Sequence, residues 1–108
     1  MKEIKFRAWD NKQMEYSKPM PDFGFWKWAG YSSTTKIMQY TGLKDKNGKE
    51  IYEGDKILDS NSVVWIVSFG AGSFVATMMG GSDRDSLYSV IDKEVEVIGN
   101  IYQEEATP

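Results

Sequence analysis

Apolar and polar residues in this chain exchange places every one or two positions, and no 3.6-residue apolar period is sustained over a helix-length window. Ile4, Phe6 and Ala8 alternate with Lys5, Arg7 and Trp9, the two-residue period of a strand with two unlike faces. Asp10-Asn11-Lys12 is a turn signal, and Met14 and Tyr16 continue a return strand, so the N-terminus reads as a β-hairpin. Residues 17–24 carry Pro19, Pro21 and Gly24 and read as a loop. The aromatic run from Phe25 to Tyr31, if extended, places Trp26, Trp28 and Gly30 on one face, opposite Phe25, Lys27, Ala29 and Tyr31. Ser32-Ser33-Thr34-Thr35 forms a polar bridge to the next strand.

Residues 38–58 organise the remainder. Gln39, Tyr40, Thr41 and Leu43 favour an extended chain, as do Ile51 and Tyr52, and Asp45-Lys46-Asn47-Gly48 between them suits a tight hairpin. Asn47 and Gly48 tolerate the positive φ such turns require. Gly54-Asp55 marks a corner before Lys56-Ile57-Leu58-Asp59, which alternates like a half-buried strand. Val63 to Phe69 is the most apolar run and is expected to be a central strand buried on both faces. Gly70-Ala71-Gly72 turns it into a hairpin with Ser73 to Met79, and residues 80–86 read as a polar loop. Leu87 to Ile91 fits either a short strand or a helical turn. Glu94 to Tyr102 is the last strand, with a bulge or close backbone crossing at Gly99-Asn100, and residues 103–108 form a fraying tail. Five or six short strands separated by Gly/Asn/Asp turns predict a mainly β domain, a small barrel or sandwich.

At 108 residues the chain is expected to be one domain, with residues 1–37 as hairpin and aromatic segment, 38–102 as barrel and 103–108 as tail. It contains no cysteine and no histidine, which removes disulfides, thiolate chemistry, Cys-bound zinc and the commonest general base. No apolar run approaches the roughly 20 residues of a membrane span, so a soluble, cytoplasmic protein is expected. The net charge of −3 is unevenly spread. Residues 1–37 hold seven Lys/Arg against four Asp/Glu, residues 38–58 four of each, and residues 59–108 two against eight. That polarity could steer self-association or a partner.

Candidate chemistry is sparse. Aligning Gly48 with the sixth position of a calcium loop puts Leu43 first and Gly54 twelfth, neither of which can ligate. Glu50, Glu53, Asp55 and Asp59 lie close together, yet neighbouring lysines point to ordinary surface solvation rather than an acid–base pair. Ser82, Ser86 and Ser89 have no activating histidine or lysine, and the Gly-rich turns lack the Lys-Ser/Thr of a phosphate loop. The chain therefore reads as a non-enzyme with no cofactor. What remains is its aromatic content. Arg7, Trp9, Trp26, Lys27, Trp28 and Tyr31 form a candidate interaction surface, with three readings: core packing, a protein interface, or a stacking platform for single-stranded nucleic acid. The acidic balance favours the first two. Asn47, Gly48, Gly54, Asp55, Gly99 and Asn100 are expected to be structural turns.

Four segments together resemble the YopX family, small proteins of Gram-positive bacteriophages and prophages. They are Phe6-Arg7-Ala8-Trp9-Asp10, Met38 to Asp45, Gly48 to Asp55, and Glu96-Val97-Ile98-Gly99-Asn100-Ile101-Tyr102. The resemblance departs in the aromatic-rich residues 19–35 and in a tail without Asn-Pro after the last strand. It implies an SH3-like barrel toward the C-terminal half, an assembly of several copies and a phage setting. It brings no activity, substrate or catalytic residue.

Overall fold

The computed structural model describes residues 4–18, 23–30, 35–70 and 72–103. Nine strands form two antiparallel sheets among the described residues, and the protein is mainly β. The first sheet contains β1 (Phe6–Trp9), β2 (Met14–Tyr16), β3 (Lys36–Lys44) and β4 (Glu50–Tyr52), in the order β2-β1-β3-β4. The second contains β5 (Asp55–Leu58), β6 (Val64–Gly70), β7 (Ser73–Met78), β8 (Arg84–Ser86) and β9 (Glu96–Asn100), in the order β8-β7-β6-β5-β9. Two short helices, α1 (Phe23–Ala29) and α2 (Leu87–Ile91), complete the described elements.

β3 belongs to two ladders. Its first half pairs with β1, Arg7 opposite Met38 and Ala8 opposite Ile37, and its second half pairs with β4, Tyr40 opposite Tyr52. Between Tyr40 and Lys44 the register slips. Gly42 sits there at φ 86°, and the buried Thr41 hydroxyl fills the gap, donating to the Ile51 carbonyl at 2.7 Å and accepting from the Leu43 amide. The bulge anticipated in the last strand lies one residue earlier: Lys56 pairs with Gly99 and Ile57 with Val97, leaving Ile98 as the extra residue.

The main core lies on the inner face of the five-stranded sheet. Ile57, Trp65, Val67, Phe74 and Ala76 meet Ile51, Leu87, Val90 and Val95 there. The expectation that the run from Val63 to Phe69 is buried on both faces is corrected. Trp65 and Val67 are buried, Val64 and Ile66 are half-buried, and Ser68 and Phe69 are exposed. Only one side of the strand is covered. Residues 84–86, expected within a loop, form β8. Leu87 to Ile91 resolves as a helical turn, because the Ser86 hydroxyl accepts the Tyr88 amide and Leu87 and Val90 reach the core.

The aromatic segment is not a loop or strand but α1. Phe25 and Ala29, four residues apart, face the same way and bury against Ala8 of β1, with Phe6, Trp26 and Trp28 packed around them. The Gly30 amide bonds to the Trp26 carbonyl at 3.0 Å and closes the last turn. A seven-residue helix has little stability alone, so this packing is what holds it. The expectations for Pro19, Pro21, residues 31–34, Ala71 and residues 104–108 lie outside the described residues.

Candidate functional site

The two sheets are joined at Gly54-Asp55. Gly54, at φ 85°, donates its amide to the Val67 carbonyl at 2.8 Å and accepts from the Ile101 amide at 2.9 Å. A side chain there would meet Met38 Sδ at 3.1 Å, so the corner needs glycine for space as well as conformation. Asp55 follows and is 1% exposed. Its Oδ1 accepts from Arg7 Nη2 at 2.7 Å and its Oδ2 from the Tyr52 amide at 2.8 Å. Arg7 also donates to the Glu53 carbonyl and lies 4.8 Å from the centre of the Tyr52 ring. Burial pushes the Asp55 carboxyl above its ordinary value, while the guanidinium and the Tyr52 amide pull it down. Burial, followed by the Glu50 carboxylate, raises the Tyr52 hydroxyl.

Arg7 therefore does not belong to an interaction surface. At 4% exposure its guanidinium faces inward, which corrects the expectation from the alternating β1 pattern. The face that carries Lys5, Arg7 and Trp9 is covered around Arg7 by the Gly54-Asp55 corner, a contact between residues 48 apart that alternation alone does not reveal. Asp55 and Asp59 are likewise buried rather than solvated at the surface.

Two further aspartates close loops. Asp45 Oδ1 accepts the amides of Asn47 and Lys49, and Oδ2 reaches across to the Val97 amide at 2.9 Å. Burial would raise this carboxyl, but the Val97, Lys49 and Asn47 amides together hold it below the usual aspartate range. Gly48, at φ 83°, completes that turn as expected. Asp59 repeats the scheme. Its Oδ1 accepts the Asn61 and Val63 amides and its Oδ2 accepts Trp65 Nε1 at 2.9 Å, and this indole bond is the main reason its carboxyl is lowered. Asn100 caps the end of β9, with Oδ1 accepting the Tyr102 and Gln103 amides. Among the described residues, no buried side-chain nitrogen or oxygen lacks a partner.

A cleft of about 410 Å³ opens beside Asp59. Val63, Trp65 and Met78 line it with Asp83, Arg84, Asp85 and Lys93, and the Lys93 ammonium lies 5.3 Å from the centre of the Trp65 ring. The oxygens of Asp59 are already occupied by three donors, so the carboxylates the cleft has left to offer are those of the exposed Asp83 and Asp85, beside the Arg84 and Lys93 cations and an apolar wall.

The candidate aromatic residues divide. Trp26 and Trp28 are half-buried in the small cluster around Ala8, with the Trp26 ring 5.2 Å from Phe6 and 5.1 Å from Phe25. Lys27 is exposed on the opposite side of α1, Trp9 is half-buried on β1, and Tyr31 lies outside the described residues. The structure thus brings Phe6, Ala8, Trp26 and Trp28 together, and separates them from Arg7.

The outer face of the five-stranded sheet, which the sequence reading did not single out, is apolar at its centre. The strand registers place Leu58 beside Val64, Ile66 beside Thr77 and Lys56, and Val75 beside Ser68, all on the side away from the core. Each of the four aliphatic residues is half-buried, and none joins either hydrophobic cluster. Met79, half exposed, extends the strip through its amide bond to the Val64 carbonyl. Arg84 on β8 and Glu96 on β9 flank it on opposite edges. The signal was present as Leu58, Val64, Ile66 and Val75, apolar at strand positions alternating with core residues, but Val64 and Ile66 were absorbed into a strand expected to be buried on both faces.

Among the described residues no helix is long and apolar enough to cross a membrane, and no group of three or more acidic residues is placed to hold a metal ion. The crystal structure of protein yopX from Bacillus subtilis has the same fold: the TM-score is 0.58, over 93% of this chain and 94% of that one, at 23% identity. No curated protein matches the sequence. The family model described as YopX protein matches residues 25–106, from α1 through β9 and beyond. With three quarters of its length matched in this way, the chain belongs to the YopX family.

Proposed function

We propose that this chain is a non-enzymatic accessory protein of a bacteriophage or prophage, working in the cytoplasm of its bacterial host through protein–protein contacts as an assembly of several copies. The observation that carries this reading is the outer face of the five-stranded sheet, where the strand registers bring Leu58, Val64, Ile66 and Val75 together on the side away from the core, outside both hydrophobic clusters. Contiguous apolar patches of this kind mark contact sites. The strand order β8-β7-β6-β5-β9, with a single helical turn between β8 and β9, supports an SH3-like barrel as the frame that presents this face. Such a frame, with Asp45, Asp55 and Asp59 fully bonded, suits a rigid docking module.

The rival reading, a single-strand-binding module, needs exposed cations between stacking rings. Arg7 is committed to Asp55, Lys5 to Glu50, and Trp26 and Trp28 to the cluster on Ala8, which weighs against it. Light scattering at micromolar concentrations, paired with titration of a fluorescent single-stranded oligonucleotide, tests the two together. A mass well above the 12.3 kDa monomer with no salt-sensitive oligonucleotide binding is expected. A monomer that binds the oligonucleotide, more weakly as salt is added, would replace this proposal with its rival.

A further inference from the structure

We infer that Asn47-Gly48 is a self-modifying site: the Gly48 amide nitrogen displaces ammonia from the Asn47 side chain, and Asp45 restrains that reaction while the turn between β3 and β4 is closed. The chain holds four asparagines, Asn11, Asn47, Asn61 and Asn100, followed by Lys12, Gly48, Ser62 and Ile101. A Cβ on the following residue crowds the approach of its nitrogen to the asparagine side chain, and of these four followers Gly48 alone lacks one. Asn47 is exposed, and among the described residues its carboxamide has no bonding partner. Open space surrounds Gly48, where a Cβ would meet nothing within 4 Å. Asn100 is the opposite case: it is buried, and its Oδ1 accepts the Tyr102 and Gln103 amides.

The reaction consumes only water. Gly48 N gives its proton to hydroxide and bonds to Asn47 Cγ. The bond from Cγ to the side-chain nitrogen breaks, and that nitrogen takes a proton from water and leaves as ammonia, which restores the hydroxide. The cyclic imide then adds one water at either of its carbonyls. It opens to aspartate, or to isoaspartate, in which the main chain runs through the former side chain. Either product exchanges a neutral amide for a carboxylate and adds one negative charge to the net −3 of the chain.

The turn holds both sides of the bond that must bend. Gly48 donates its amide to the Asp45 carbonyl at 3.0 Å, so the attacking nitrogen has its proton engaged. Asp45 Oδ1 accepts the Asn47 amide at 2.8 Å and the Lys49 amide at 2.9 Å, on either side of that nitrogen. The Asp45 amide donates in turn to the Lys49 carbonyl at 2.8 Å, and Oδ2 is anchored on the Val97 amide of β9. Bringing Gly48 N onto Asn47 Cγ requires a local opening that gives up part of this set, and only open molecules react. The isoaspartate product carries an extra carbon in the main chain between the two amides that Oδ1 holds, so the same pair of bonds no longer fits it.

Peptide mapping by mass spectrometry tests this on the full chain in mildly alkaline buffer, folded and unfolded in guanidinium chloride. It follows the exchange of amide for acid at each asparagine. In the unfolded chain Asn47 is expected to react ahead of Asn11, Asn61 and Asn100, and Gly48→Ala to slow it clearly. In the folded chain Asn47 is expected to react more slowly than unfolded by about tenfold or more. Folded Asp45→Asn, which keeps an acceptor oxygen and loses the carboxylate, should react several-fold faster than folded wild type. Amide hydrogen exchange of the wild type reads the same restraint without a substitution, since the Asn47 and Lys49 amides held by Asp45 should be protected. An Asn47 no faster than the other three when unfolded overturns the site. Equal folded and unfolded rates overturn the restraint. Asn47 and Lys49 amides that exchange as fast as in a free peptide, or a folded Asp45→Asn no faster than wild type, overturn the part assigned to Asp45.

Discussion

Replacing Arg7 by Met should be among the most damaging single changes in the described chain. The methionine keeps much of the aliphatic stem and removes the guanidinium, and with it the Nε bond to Met38 Sδ. Asp55 is then left with the Tyr52 amide as its remaining donor, at 1% exposure. Removing one member of a buried pair typically costs ~3–5 kcal/mol, because the surviving charge has neither partner nor water. For a domain of this size that corresponds to a fall in Tm of ~12–20 °C. Urea denaturation followed by tryptophan fluorescence measures it directly. The deficit should shrink with acid: burial already raises the Asp55 carboxyl, and loss of Arg7 raises it further. A folded-state value above the unfolded one means that the penalty is present at neutral pH and fades as falling pH protonates Asp55, toward about pH 4. Adding Asp55→Asn to Arg7→Met should recover much of the loss, since an amide oxygen can still accept the Tyr52 amide without a buried charge. A loss below about 1 kcal/mol, the range of exposed pairs, would show that this contact does not lock the sheets.

Two further outcomes follow from the loop geometry. Asp59 has its carboxyl lowered, chiefly by Trp65 Nε1, so its contribution is fully present above about pH 4 and is lost as pH falls through the lower folded value. Asp59→Asn should flatten the acid limb of a pH–stability curve, and an unchanged limb would argue that the indole bond is absent in solution. Gly48 and Gly54 both have φ near 85°, but a Cβ at Gly48 meets nothing within 4 Å, whereas at Gly54 it meets Met38 Sδ at 3.1 Å. Gly48→Val should therefore cost about 1–2 kcal/mol from backbone strain alone, and Gly54→Val clearly more. Equal denaturation midpoints for the two variants would refute that ordering.

The readable parts of the fold were those that local chemistry decides. Asp10-Asn11-Lys12 and Asn47-Gly48 announce turns because few residue types accept those backbone angles, and Asn11 and Gly48 do have positive φ. The alternation in Lys56-Ile57-Leu58-Asp59 survives as a strand with Ile57 inside and Leu58 half outside. What was not legible depends on distant partners. Phe25 to Ala29 has no acidic first turn and too few residues to be a helix by itself; Ala8, seventeen residues earlier, supplies the surface that makes it one. Arg7 and Asp59 look solvated when only sequence neighbours are considered, and both find buried partners. The outer face escaped notice for a related reason: Val64 and Ile66 are as apolar as Trp65 and Val67, and hydropathy does not tell a strand covered on both sides from one covered on one.

The placement of β9 beside β5 bears on how the chain is made. Residues 59–95 separate the two strands, and at about 5–20 residues per second the ribosome needs roughly 2–7 s to add them. Throughout that interval the hydrogen-bonding edge of β5 that β9 later occupies stands open, while β6 and β7 can already zip onto the other side. The Asp45 carboxylate waits longer still for the Val97 amide, 52 positions further along the chain. An unpaired edge beside newly made β-branched strands invites pairing with another nascent chain. Synthesis, rather than the finished molecule, is thus the moment at which this protein is most exposed to misassembly.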